Sequence, residues 1–279
     1  MSPGLTVLDL GDIADIPDSV RLYGVGHCSR TAGLPVYAYL VEPADGRLVL
    51  FDTGCAPPDR AAAAGHPEPA ADRYRTAADA VAALGVAPAD VGTVVLSHLH
   101  WDHCYGLDLF PDATILVQRR ELQTAVAPYP EQQTLYESFE LGHRPGWLDV
   151  LDRVRPLDGW TGLADGVAVV PLPGHTDGSQ GLVVDVAGGR TVCCCGDLMS
   201  AYESWTGVYR VPGRPSGMIP NGLHSDLAAW RATTESIARS GWVPLPAHDR
   251  RAPLAADGRW TPRPGDPSSL DDADRLLGH

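Results

Sequence analysis

Short apolar runs, broken by polar, glycine or proline turns, set the pattern of the first third of the chain. Residues 20–23, 36–41 and 48–52 read as strands, and Asp45-Gly46 between the last two is a hairpin signal. An alanine-rich stretch punctuated by proline, 56–72, breaks the pattern and reads as a loop. Helical spacing follows over 76–84, with Gly85 as a stop. Residues 91–96 and 114–117 have the composition of buried strands, and the spacing after the second predicts a helix over about 119–126. Residues 127–160 hold Pro128, Pro130, Pro145, Trp147 and Trp160 but no periodic apolar face, so they read as a lid-like insertion.

The second half repeats the style of the first. Residues 167–171 lead to Pro173-Gly174-His175-Thr176. Residues 182–186 and 191–195, joined through Gly188-Gly189, form another hairpin pattern that ends at Gly196-Asp197. Residues 198–224 are rich in glycine, proline and aromatic residues and read as a loop facing the strand ends. A helix is expected over 226–239, with Ser225 or Asp226 as N-cap and Gly241 beyond its end. Residues 242–246 form a short strand that delivers His248, and a loop-rich tail begins at about 250. Each half thus alternates strands with helical segments. That layering fits one domain over 1–279 of the α/β class, an αββα sandwich of two mixed β-sheets flanked by helices.

Composition narrows the function. The net charge is −14, and all 21 basic residues are arginine. An acidic chain lacks the basic face that phosphate backbones require, so no nucleic-acid partner is expected. Polyanionic substrates are disfavoured for the same reason. No apolar run spans a bilayer, and the N-terminus lacks the basic and apolar regions of a signal peptide, so the expectation is a cytoplasmic protein without membrane contact. Cys28, Cys55, Cys104 and the run Cys193, Cys194, Cys195 contain no CxxC pair and no disulfide spacing. They read as buried thiols in a reducing compartment.

The chemistry is concentrated at Ser97-His98-Leu99-His100-Trp101-Asp102-His103. Four potential metal ligands lie within six residues there. A strand end running into a tight loop can gather them, whereas a helix would scatter them. Burying so many ionisable groups without partners is costly, which points to a metal. Asp52, His175, Asp197 and His248 also follow strand-like segments. Leaving Asp52 aside, the set supplies five histidines and two aspartates, enough for two ions sharing one carboxylate. Zinc suits these ligands best, and Mn2+, Fe2+ or Co2+ accept the same set.

The Ser97–His103 run, Asp52-Thr53-Gly54, Gly174-His175-Thr176, Gly196-Asp197 and His248 together resemble the metallo-β-lactamase superfamily in order and spacing, over about residues 20–250. The resemblance implies that His98, His100 and His175 bind one metal, that Asp102, His103 and His248 bind a second, and that Asp197 bridges them. It implies for Asp52 the role of orienting ligands rather than binding metal. Phe51-Asp52-Thr53-Gly54-Cys55 and Gly174-His175-Thr176-Asp177-Gly178-Ser179-Gln180 are most similar to the N-acyl-homoserine lactonase branch.

That likeness implies a dinuclear hydrolase opening a lactone or cyclic ester by attack of a metal-bridging hydroxide, with Asp102 carrying a proton to the leaving group. The substrate is a small molecule, uncharged or weakly charged, with an apolar part. Two departures stand out. Ser200 occupies the position where such lactonases often carry a tyrosine, and Trp101 replaces a usual phenylalanine. Tyr202 is the nearest replacement for the tyrosine and is a catalytic candidate beside Asp102. Tyr105, Trp147, Trp205, Tyr209 and Met218 are further candidates for an apolar pocket. The alternatives are a metallohydrolase of thioesters, amides or β-lactams, serving as a tailoring enzyme of secondary metabolism, and iron-dependent oxygen chemistry or binding on the same scaffold.

Overall fold

A 14-residue strand, β1 (Gly4–Pro17), opens the chain and pairs antiparallel with β2 (Thr31–Glu42). The computed structural model describes residues 2–23, 31–44, 46–207 and 218–263. Between these two strands, α1 (Asp18–Arg21) occupies much of the segment read as the strand 20–23, which correctly belongs to a helical turn. Pro17 closes β1, and a four-residue apolar window carries too little periodicity to separate strand from helix.

β2 pairs antiparallel with β3 (Leu48–Phe51), as the hairpin pattern requires, although Asp45 itself lies outside the described residues. The sheet continues with parallel β4 (Val91–Val95), β5 (Thr114–Gln118) and β6 (Val154–Leu157), in the order β1-β2-β3-β4-β5-β6. A second sheet runs β11 (Val243–Pro246), β10 (Arg190–Gly196), β9 (Gln180–Val186), β8 (Val167–Pro171) and β7 (Thr161–Ala164). Only β10 and β11 are parallel in it, so both sheets are mixed.

Strand alternation sorts the core into layers. Tyr37, Tyr39 and Val41 of β2 face Val169, Leu182 and Val184 of the second sheet, while Val36, Ala38 and Leu40 turn to the opposite side. There they pack with α3 (Ala77–Ala83), whose N-cap Thr76 forms a capping box with Asp79. On the far side of the second sheet, α5 (Glu203–Thr206) buries Trp205, and α6 (Leu227–Ser240) buries Trp230 and Ile237. Asp226 caps α6 through Ala228 and Ala229, and Gly241 ends it at φ 69°. The three adjacent cysteines follow the same alternation. Cys194 enters the core between the sheets, and Cys193 and Cys195 face α6.

Three further segments depart from the sequence reading. The stretch 56–72 contains α2 (Pro58–Ala63), which starts on proline where the missing N–H costs nothing. The insertion is shorter than 127–160, because β6 joins the first sheet. What precedes it, after α4 (Arg119–Val126), is a series of 3-10 turns that bury Tyr136, Trp147 and Val150 in the core. The tail begins with α7 (Ala252–Ala256), whose Ala252 and Ala255 are buried between the sheets. Among the described residues no helix is long and apolar enough to cross a membrane.

Candidate metal centre

The site begins with a strained turn at the end of β3. Asp52 sits at φ 60°, a left-handed conformation that aspartate tolerates better than most residues. Its amide donates to Val95 O at 2.9 Å, which pins the turn to the end of β4. The carboxylate then organises the motif that follows β4. Oδ1 accepts from Ser97 N at 2.6 Å, and Oδ2 accepts from Ser97 Oγ at 2.8 Å and faces His103 Nδ1 at 2.9 Å.

The chain ends after β4, β8, β10 and β11 bring the histidines and aspartates together. His98, His100 and His175 form one group of potential ligand atoms, and Asp102, His103 and His248 form another. Asp197 stands between them. Its Oδ1 is 3.1 Å from His248 Nε2 and 3.4 Å from His103 Nε2, while Oδ2 is 3.8 Å from His175 Nε2.

The outer nitrogens fix the tautomers. His103 Nδ1 donates to Asp52, His248 Nδ1 to Pro35 O at 2.8 Å, and His175 Nδ1 to Leu223 O. Ser97 Oγ gives its proton to Asp52 and so accepts from His98 Nδ1 at 2.9 Å. In their neutral forms these four rings leave Nε2 as the acceptor nitrogen, and those atoms converge: His98 and His175 at 3.2 Å, His103 and His248 at 3.3 Å. His100 joins through Nδ1, 3.1 Å from His175 Nε2. Lone pairs so placed repel unless a cation lies among them. Asp197 Oδ1 is buried without a hydrogen-bond donor, as a metal-binding oxygen would be. The donor set therefore fits two divalent cations.

The electrostatics distinguish the two groups. Burial, the largest influence, drives His98 and His100 well below the ordinary imidazole value, and neighbouring imidazoles add to it. Burial likewise lowers His175. For His103 and His248 burial pulls down, but Asp102 and Asp197 outweigh it and hold both above the ordinary value. Asp197 is held well below the usual carboxylate range, because His248 and His103 overcome its burial. The first group is thus neutral nitrogen, and the second is a place where positive charge is stabilised.

A cavity of about 280 Å³ opens over the centre. His100, Asp102, His175 and Asp197 form its floor, and Ile13, Ile16, Leu34, Trp101, Leu135 and Leu223 give it apolar walls. Ser200 and Asn221 add polar groups beside the floor.

Tyr202 requires correction as a catalytic candidate. It is fully buried, its hydroxyl donates to Pro244 O at 2.8 Å, and its ring packs in the core between the sheets. The cavity is also not lined by Tyr105, whose hydroxyl accepts from Arg60 Nε, or by Trp147, Trp205 and Met218, which pack in core clusters. Tyr209 and Cys28 lie outside the described residues. The sequence pattern did not single out the β1 walls, Asn221, or Glu121, a buried carboxylate beneath the first histidine group. For Glu121 a signal existed: it lies one turn before Ala125, on the inward side of a short helix.

Comparison with known proteins shows the family of the chain. The profile of the metallo-beta-lactamase superfamily matches residues 31–241. The N-acyl homoserine lactonase AiiB of Agrobacterium fabrum is 35% identical over 246 residues, which cover 80% of this chain and 82% of that protein. A probable metallo-hydrolase of Mycobacterium tuberculosis is 34% identical over 192 residues, and the match spans about 60% of its length. Among solved structures, a quorum-quenching N-acyl homoserine lactone lactonase superposes with a TM-score of 0.65 at 22% identity, over 90% of this chain and 94% of that one. By profile, sequence and fold, the chain belongs to the metallo-beta-lactamase superfamily.

Proposed function

We propose that this protein is a metal-dependent hydrolase that opens the ring of a lactone or related cyclic ester carrying an apolar tail. The observation that carries the reading is the pair of ligand groups sharing Asp197 on the floor of an apolar cavity. His98, His100 and His175 would hold one ion, Asp102, His103 and His248 would hold the other, and Asp197 is the carboxylate that both would share. Divalent ions held there, zinc by the preference of this ligand set, would supply an ionised water at neutral pH and polarise a carbonyl.

The side chains do the rest. Asp197 fixes the spacing of the two groups. Asp102, whose Oδ2 lies 3.6 Å from His248 Nε2, faces the cavity and carries the proton given up by the attacking water to the leaving oxygen. Ser200 Oγ lies 3.4 Å from Asp197 Oδ2 and is the hydroxyl placed to donate to the substrate carbonyl. The β1 and β2 walls hold the tail and exclude water. The AiiB relative is an N-acyl homoserine lactonase, and that substrate class fits here, with the ring at the floor and the acyl chain along the walls.

Proton release during ring opening of acyl homoserine lactones by zinc-loaded protein tests the reading. Activity that is lost on chelation and in His100→Ala is expected. No opening of any lactone by metal-loaded protein, or activity indifferent to both treatments, would refute it.

A further inference from the structure

Four of the five clustered imidazoles have a polar partner on the nitrogen that faces away from the centre: Ser97 for His98, Asp52 for His103, Leu223 for His175 and Pro35 for His248. His100 does not. Its Nδ1 faces His175, and its Nε2 is buried without a hydrogen-bond partner. A ligating histidine without such a partner needs another means of orientation.

Two neighbours supply it. The ring of Tyr136 stands edge-on to that of His100, with centroids 4.6 Å apart. The amide of Leu99, immediately before His100, donates to Glu121 Oε1 at 2.9 Å. Tyr136 is held by the same oxygen, to which its hydroxyl donates at 2.7 Å.

Glu121 also reaches the other side of the group. Its Oε2 accepts from Thr176 Oγ1 at 2.6 Å, next to His175, and the amide of Gly178 donates to the carboxylate as well. The approach is close enough that a Cβ on Gly178 would lie 2.1 Å from Glu121 N, so only glycine fits there. Glu121 is fully buried, and no basic side chain is among these partners. A buried carboxylate with such partners is expensive, because burial favours its protonated form.

We propose that Glu121 is a positioning residue for the first metal: through Leu99 and Tyr136 it sets His100, and through Thr176 and Gly178 it sets the loop of His175. It touches neither substrate nor ion. Its effect is on how tightly one of the two ions is held. The inference rests on the metal-centre reading given above.

Competition with a chromogenic chelator, run on the zinc-loaded full chain, separates positioning from simple stability. In Glu121→Gln the amide places a donor where the carboxylate accepted. One ion of the two is expected to be held about 10–100-fold more weakly, with the other at its original affinity. Tyr136→Phe keeps the ring and loses only the hydroxyl, so it is the milder change and keeps the test independent of the fold of the Gln variant. It is expected to weaken the same ion several-fold. In the cobalt-loaded protein, both variants are expected to alter the visible absorption of that one ion.

Unchanged affinities in both variants, or equal weakening of both ions in step with a fall in Tm, would overturn the inference alone. A wild-type chain that takes up no ions would overturn the metal-centre reading and this inference together.

Discussion

His103 Nδ1 donates to Asp52 Oδ2 at 2.9 Å, joining residues 51 apart in sequence beyond the ends of the neighbouring parallel strands β3 and β4. Asp52 adopts φ 60° to make that contact. Asparagine tolerates the same backbone, so Asp52→Asn isolates the acceptor from the turn. Its amide must place a donor against Ser97 or His103. Chelator competition is expected to show one ion held about 10–100-fold more weakly in Asp52→Asn. Asp52→Ala is expected to add a fall in Tm, because alanine resists the left-handed region. Wild-type metal affinity in both variants would remove Asp52 from the support of the centre.

Tyr202 lies in the core rather than the cavity, and its hydroxyl serves Pro244 O. Tyr202→Phe is therefore expected to leave kcat/KM within about two-fold of wild type, since no transition-state contact is lost. It is expected to cost about 1 kcal/mol of stability through one buried hydrogen bond. Ser200→Ala is expected to do the reverse, lowering kcat/KM while leaving Tm near its original value. Loss of turnover in Tyr202→Phe without loss of stability would restore the tyrosine as a catalytic group.

The apolar walls make a prediction about substrate length. Ile16 is buried against the first core and lines the cavity. Ile16→Ala removes wall without touching the floor. For lactones with an acyl tail, KM is expected to rise about ten-fold, with kcat little changed. Lactones without a tail are expected to be unaffected. Equal loss for both classes would place Ile16 outside the substrate path.

Much of the centre is legible in the sequence because each candidate ligand follows a strand that is itself legible. The strands before Asp52, His98, Asp197 and His248 are largely apolar, and they end within one residue of the expected position. The 226–239 helix is marked by its cap and its terminal glycine. β1 was not legible, because its pairing shifts register between Asp9 and Asp12 and again between Ile13 and Ile16. Each shift resets the alternation by which a strand is recognised.

Tyr202 misled for a related reason. Ser200 and Tyr202 both have right-handed helical backbone angles. Residues two apart on such a turn point about 200° apart. Proximity in sequence to Asp197 therefore puts Ser200 at the cavity and turns Tyr202 away. Glu121 was hidden because a glutamate on a short helix with two arginines reads as solvated surface. Its place one turn before Ala125 is a weak signal against that reading, and the packing of two loops against α4 decides that it faces inward.

The central claim is that one carboxylate, Asp197, joins two metal sites. Metal content of zinc-loaded, gel-filtered protein, measured by plasma emission for wild type and Asp197→Ala, tests it most directly. Two zinc ions per chain in the wild type, and one or fewer in Asp197→Ala with the fold retained by circular dichroism, are the predicted results. A wild type that retains a single ion, or an Asp197→Ala chain that retains two, would contradict it.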